Sequence, residues 1–355
     1  MSLLAGEPMV LDPHYIQQFY RASGRLGAFR AYPGGEYDSE EWIGSTTQLF
    51  GAEPGVGLTR LASGKLLRDV VMADPVAVLG SDHVARFGAS TELLVKILDA
   101  GERLPVHIHP DRHFAHAHLG SVHGKSEAWI ILEAPQDAAV YVGFRGPLER
   151  SELIDLMERQ DSEAMLDAMH RLPVTVGDAV FVPAGVPHAI GEGLLLIEVQ
   201  EPTDYSMLME WNGYKIDAER TGRLGLTMEL AVEAINSSGL PFDVVSALRR
   251  KGAARPDASG ESVLPASADP YFRAERMTAG ATLGPAFSII IVTEGKLTLT
   301  TANGVATECH AGGAVLIPFS AGTCVVAGTG QAIRCRPPAP EQSLLARNNY
   351  GLAMD

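Results

Sequence analysis

The sequence predicts a mainly β protein of two barrels in tandem with helical insertions, and three observations in its 355 residues lead there. The 37 glycines and 22 prolines make up about a sixth of the chain, which suits many turns and short strands better than long helices. Apolar runs are of strand length: AWIILEA (128–134), AAVYVGF (138–144), AVFVPAG (179–185) and GLLLIEVQ (193–200). A glycine-to-proline spacing recurs, Gly177 to Pro183 and again Gly312 to Pro318, as expected of an internal repeat.

Taken in order, PHYIQQFYRAS (13–23) predicts a short opening helix. From Tyr32 to about Gly80 the chain is broken by Gly, Pro and Asp, with β-like pieces such as EEWIGSTTQLF. STELLVKILDAG (90–101) reads as a strand leading into a histidine-rich stretch. Between Leu148 and Leu172 the apolar period becomes helical, through Leu153, Leu156, Met157, Met165, Leu166 and Met169, which predicts an inserted helical pair. A second helical stretch is expected over 217–238. KGAARPDASGESVLPASADP then has linker composition. The expected division is a first barrel over 1–250, a linker over 251–268 and a second barrel over 269–355, ending in a proline-rich tail.

Two spaced motifs carry chemistry. Residues 101–109, GERLPVHIH, place His107 and His109 two apart, so on one strand both imidazoles face the same side. Residues 177–188, GDAVFVPAGVPH, give a strand, a Gly/Pro turn and then His188 opening the next strand. Together these are the two signatures of the cupin barrel, so the expected fold is a double cupin. A fourth ligand is usual a few residues after the His pair, but Pro110 and Asp111 follow here, and the candidate is Glu127, heading the next strand in GKSEAWIIL. Three imidazoles and a carboxylate suit Zn²⁺, with Mn, Fe, Co or Ni as other divalent choices. His113, His116, His118 and His123 read as a polar loop. In the second repeat, Ala286 and Ser288 stand where the His pair would be, and Thr323 follows the turn, so that barrel is expected to hold no metal.

Longer segments show a family likeness. LVKILDAGERLPVHIHPD resembles the LxVKxLDAxxxLSVQVHPDD segment of class I mannose-6-phosphate isomerases, short bacterial type. GKSEAWIIL is similar to their GKTEMWYIL, and VGDAVFVPAGVPHAIGEGLLLIEVQEPTD to their GDxxxIPAGTxHAIGxGxxxxEIQQxSD. EEWIGS resembles an element near their N-terminus, and the likeness covers about residues 13–215. It implies a metal site on His107, His109, Glu127 and His188, with His107 replacing a family glutamine. It also implies site-lining roles for Lys96 and Glu41 toward substrate, and for Glu198, Asp204 and Lys215 in catalysis. Pro105 replaces a family serine, and Leu208 (or Met207) falls where the family has an arginine. The implied reaction is aldose–ketose isomerisation of mannose-6-phosphate or a related sugar through an enediol. The alternatives are a cupin dioxygenase and a sugar-binding protein without turnover.

The remaining composition bounds the partners. A net charge of −15 without clustered Lys and Arg speaks against nucleic acid. No apolar run approaches the roughly 18–20 residues of a membrane span, and the N-terminus lacks a basic signal-peptide region. Cys309, Cys324 and Cys335 have no metal-like spacing, and a reduced, cytoplasmic protein is expected.

Overall fold

The computed structural model describes residues 6–252 and 261–341. Three antiparallel sheets organise them. A seven-stranded sheet runs, in order, Arg249–Arg250, Ala179–Val182, Glu127–Glu133, Leu195–Gln200, Leu94–Asp99, Glu40–Ile43 and Tyr15–Ile16. A five-stranded sheet runs Met207–Leu208, His107–Ile108, His188–Ile190, Ala139–Phe144 and Met169–Pro173. The third, eight-stranded, is built around the long strands Ser288–Thr301 and Cys324–Arg336.

Burial explains why the central strands are apolar on nearly every residue. The seven-stranded sheet is covered on both faces: Val95, Ile97 and Val199 share a core with Ile289, Ile333 and Cys335 of the third sheet. Its other face looks toward the five-stranded sheet. With both faces dry, Leu94–Asp99 and Leu195–Gln200 are buried at every position. The outer face of the five-stranded sheet is roofed by the expected helical pair, Arg150–Arg159 and Ser162–Ala168, through Leu153, Met157 and Met165. Glu149 and Glu152 close a reciprocal cap at the start of the first of these helices.

Several expectations are corrected. The opening helix over 13–23 is absent: Tyr15–Ile16 is an edge strand on Glu40–Ile43, and Gln18 and Ala22 donate to the Tyr37 and Glu36 carbonyls. Ile16 and Tyr20 have helical spacing, yet an extended chain lying against the sheet buries both. The stretch before Gly80 contains short helices, Leu67–Ala73 and Pro75–Leu79, and Ser81–Phe87 follows it. Each is too short to establish a period, although Asp74 capping Ala77 N at 3.2 Å beside Pro75 is a start signal. The polar loop of histidines is a helix, Arg112–Leu119, capped by Asp111 and ended by Gly120. Of the helix expected over 217–238 only Met228–Glu233 forms. In the expected linker, residues 253–260 lie outside the described residues, while Glu261–Ser262 pairs with Arg273–Thr278. Strand Met9–Leu11 joins the third sheet through Ala314–Ile317, so the beginning of the chain completes the sheet formed near its end.

Candidate metal centre

The His-x-His motif and the glycine–proline turn meet because their strands are neighbours, with His107 directly opposite His188. Gly185, at φ +82°, turns the chain after Pro183 and donates its N–H to the His109 carbonyl at 2.7 Å, which ties the two motifs together. His109 lies just past the end of its strand, but the three rings still converge, with centroids 4.1–5.0 Å apart. Their ligand atoms all lie within 4.8 Å of one another.

Each imidazole is oriented in the same way. His107 Nδ1 meets the Pro105 carbonyl at 2.8 Å, His109 Nδ1 that of Tyr205 at 2.9 Å, and His188 Nδ1 that of Val186 at 2.8 Å. A carbonyl only accepts, so the proton sits on Nδ1 and the Nε2 lone pair is left for a metal. Burial lowers all three histidine pKa values, His109 to about 3 with help from the Lys125 charge, so the rings are neutral. Glu127 faces them across the sheets, 2.8 Å from His109 Nε2 and 3.4 Å from His188 Nε2. Burial opposes its ionisation; with His109 neutral and its proton on Nδ1, the nearby charge that favours the carboxylate is the Lys125 ammonium, 3.5 Å from Glu127 Oε2. His109 Nε2, His188 Nε2 and Glu127 Oε2 are buried and lack hydrogen-bond partners. Orphaned lone pairs of this kind are costly unless a ligand satisfies them, and this donor set fits a divalent ion.

Beside the centre lies a charged cluster. Lys96 Nζ is 3.4 Å from Glu40, 3.4 Å from Glu198 and 3.8 Å from Asp204, and sits 4.7 Å over the Trp42 ring. Burial disfavours the ammonium, but the three carboxylates outweigh it and raise its pKa. The carboxylates respond unequally. Glu40 accepts from Tyr20 and Trp42 at 2.9 and 2.8 Å; burial works against its ionisation, yet Lys96 and these donors lower its pKa. Glu198 is pushed up to about 7 by burial and by the nearby Glu127 charge. Its only hydrogen-bond donor among the described residues is Trp129 Nε1, at 3.3 Å. All three histidine Nδ1 atoms already have backbone carbonyl partners, so Glu198 does not orient an imidazole and is free for another role.

The other sequence-chosen residues fall in different places. Glu41 is a correction: it points to the opposite face of its strand, paired at 2.6 Å with buried Arg30, which also bonds the Leu11 and Gly312 carbonyls. Strand alternation puts its neighbour Glu40 in the cluster instead. Lys215 lies farther out, 4.8 Å over the Tyr37 ring, in a cleft of about 550 Å³ that also touches Asp204, Ser206 and Leu208. Those three residues also line a smaller inner space of about 40 Å³ reaching His107, Lys125 and Glu198. Of Leu208 and Met207, the pleat turns Leu208 toward both spaces, and Met207 packs into the core under the helical pair. His113, His116 and His118 are exposed on their helix, and His123 bonds Glu92 at 2.9 Å.

Lys125 was missed. Its Nζ lies 3.5 Å from Glu127 Oε2 and 3.4 Å from Ser206 Oγ. A lysine two residues before Glu127 shares its face of the strand, which is the signal that could have found it. Nothing in the sequence marked Glu40 or Ser206.

Residues 39–135 match the family described as phosphomannose isomerase type I, catalytic domain. The mannose-6-phosphate isomerase of Streptococcus mutans is 35% identical over 134 residues, 37% of this chain and 41% of that protein. Mannose-6-phosphate isomerase ManA of Bacillus subtilis is 34% identical over 150 residues, 42% of this chain and 45% of that protein. In these matches the chain spans less than half the length of either relative. A crystal structure of mannose 6-phosphate isomerase from Bacillus subtilis superposes with a TM-score of 0.69 at 21% identity, covering 93% of this chain and 99% of that one, and so shares the fold. The likeness to class I mannose-6-phosphate isomerases thus lies in the matched catalytic segment over 39–135, and the chain as a whole shares the fold of a solved mannose 6-phosphate isomerase.

Proposed function

We propose that this protein is a metal-dependent aldose–ketose isomerase acting on mannose-6-phosphate or a closely related sugar, with one divalent ion, zinc in the first instance, on His107, His109, Glu127 and His188. The observation that carries the reading is the set of orphaned buried lone pairs on His109, His188 and Glu127 beside a carboxyl poised near neutrality. A bound divalent ion supplies positive charge for the sugar oxygens and for the negative charge that develops on the enediolate. Glu198 has the proton affinity needed to take a proton from one sugar carbon and return it to the next near neutral pH. Lys96 is charged and held among three carboxylates, so it serves to keep Glu198 and Asp204 in place and to meet a sugar hydroxyl. Asp204 also accepts from Phe50 N at 3.1 Å, which anchors the cleft wall. Lys215, at the outer cleft, is placed to meet the far end of a substrate.

In this reading the first two sheets form the working barrel and the third is a structural partner, with Ala286, Ser288 and Thr323 where the repeat would place metal-binding histidines. Among the described residues, no helix is long and apolar enough to cross a membrane. No specific observation favours the oxygenase or the non-catalytic alternative. The test is elemental analysis of the purified protein coupled to an isomerase assay on mannose-6-phosphate and mannose. Turnover that depends on about one tightly held ion per chain is expected. Full metal content with no conversion of either sugar would overturn the enzymatic reading.

A further inference from the structure

The inner face of the third sheet holds an unusual concentration of guanidinium groups. In register, Arg273 lies opposite Arg336, Glu275 opposite Arg334, and Ile290 opposite Arg334 on the other side. Residues opposite each other, or two apart on one strand, share a face. Arg273, Arg334, Arg336 and Glu275 therefore point the same way as Met277, Ile290, Val292 and Ala332, which form the interior core of that sheet. Only one of the three arginines has a carboxylate within ion-pair distance among the described residues: Arg336 with Glu275.

Arg334 is the most enclosed, 5% exposed. Its Nε donates to Ser288 Oγ at 2.8 Å and its Nη2 to the Gly284 carbonyl at 3.1 Å. Arg273 donates Nε to the Pro337 carbonyl at 2.9 Å, with Asp269 and Glu341 near enough to be felt. Burial destabilises both cations, and their mutual repulsion adds to the effect on Arg334. A buried cation without a counter-charge is expensive. Ser288 is one of the two residues, with Ala286, that stand where the repeat spacing calls for metal-binding histidines. Where the first barrel gathers lone pairs for a cation, this one gathers N–H donors.

We propose that this end of the third sheet binds a small tetrahedral oxyanion, a phosphate or sulfate group, on Arg334 and Arg273, with the Ser288 hydroxyl beside it. Guanidinium groups match such oxygens with paired, charge-assisted hydrogen bonds. The site is separate from the metal centre and needs neither a metal nor isomerase activity.

The test is thermal unfolding of the metal-loaded protein in sodium phosphate or sulfate against sodium chloride at matched ionic strength, followed by calorimetric titration with inorganic phosphate. Wild type should gain about 3 °C in excess of chloride at saturating oxyanion. Lys215→Ala, which alters the outer cleft, should keep that gain, and Arg334→Gln should lose it with basal isomerase turnover unchanged. If Arg334→Gln does not fold, Ser288→Ala replaces it and should weaken phosphate binding about 5- to 10-fold. Titration with glycerol phosphate as well distinguishes a free ion from a phosphorylated metabolite by which binds more tightly. No gain over chloride, a gain undiminished in the Arg334 or Ser288 variant, or a gain lost in Lys215→Ala would overturn the proposal.

Discussion

Glu198→Gln removes a charge while keeping shape, and its effect on stability has a sign opposite to that expected for a carboxylate whose pKa is lowered by a neighbouring lysine. The folded state lifts Glu198 from the ordinary 4.5 to about 7, with burial as the main cause and the Glu127 charge next. The folded protein therefore holds this proton more tightly than the unfolded chain does. Stability falls as pH rises from 4.5 toward 7, and the cost is complete above it. A displacement of that size corresponds to about 3 kcal/mol. Metal-free Glu198→Gln should thus be more stable than metal-free wild type by about 3 kcal/mol at pH 8.5, and by only about 1 kcal/mol at pH 5. Urea unfolding at the two pH values measures this, and comparing the two proteins at each pH cancels titrations they share, including that of Glu40. Loading Zn²⁺ should shrink the difference, because a nearby dication favours the ionised carboxylate. The same variant should lose isomerase turnover. A stability difference that does not change with pH would refute the electrostatic account of Glu198.

The metal assignment predicts that His109→Ala and His188→Ala each lose most of the bound ion, while His113→Ala keeps it; mass-spectrometric metal analysis of the three decides. The strand alternation at 40–41 predicts a division of labour. Glu41→Gln strips buried Arg30 of its partner and should cost about 3–5 kcal/mol of stability with little change in KM. Glu40→Gln, by contrast, should alter kcat or KM, as unfolding curves and steady-state kinetics would reveal. Leu208 offers the cleft no charge, so Leu208→Arg should raise the preference in kcat/KM for mannose-6-phosphate over mannose by about 10- to 100-fold, the worth of one charge-assisted contact. An unchanged ratio would mean that Lys215 or Lys125 already meets the phosphate.

Much of the site was legible because its parts are local. The spacing of His107 and His109, and the glycine–proline turn before His188, report strand geometry that any chain with those residues would adopt. The apolar runs announced strands that are buried on both faces, and the shift to helical period between 148 and 172 announced the roof over the five-stranded sheet. Where the reading failed, the deciding forces came from elsewhere in the chain. Glu40 and Glu41 differ by a single step on one strand, and only the packing of the third sheet on one face and of the histidine-bearing strands on the other tells which carboxylate meets Lys96 and which meets Arg30. The segment 13–23 has apolar spacing that a helix would satisfy, but its N–H groups found the Tyr37 and Glu36 carbonyls. The fate of Leu208 depended on the pleat of a two-residue strand, and Lys125 gained its place from Glu127 and Ser206. Local sequence thus picked out the three imidazoles that the fold brings together. The pairing of distant strands decided which charges share the buried space beside it, because burial and Coulomb interactions depend on distance through space rather than along the chain.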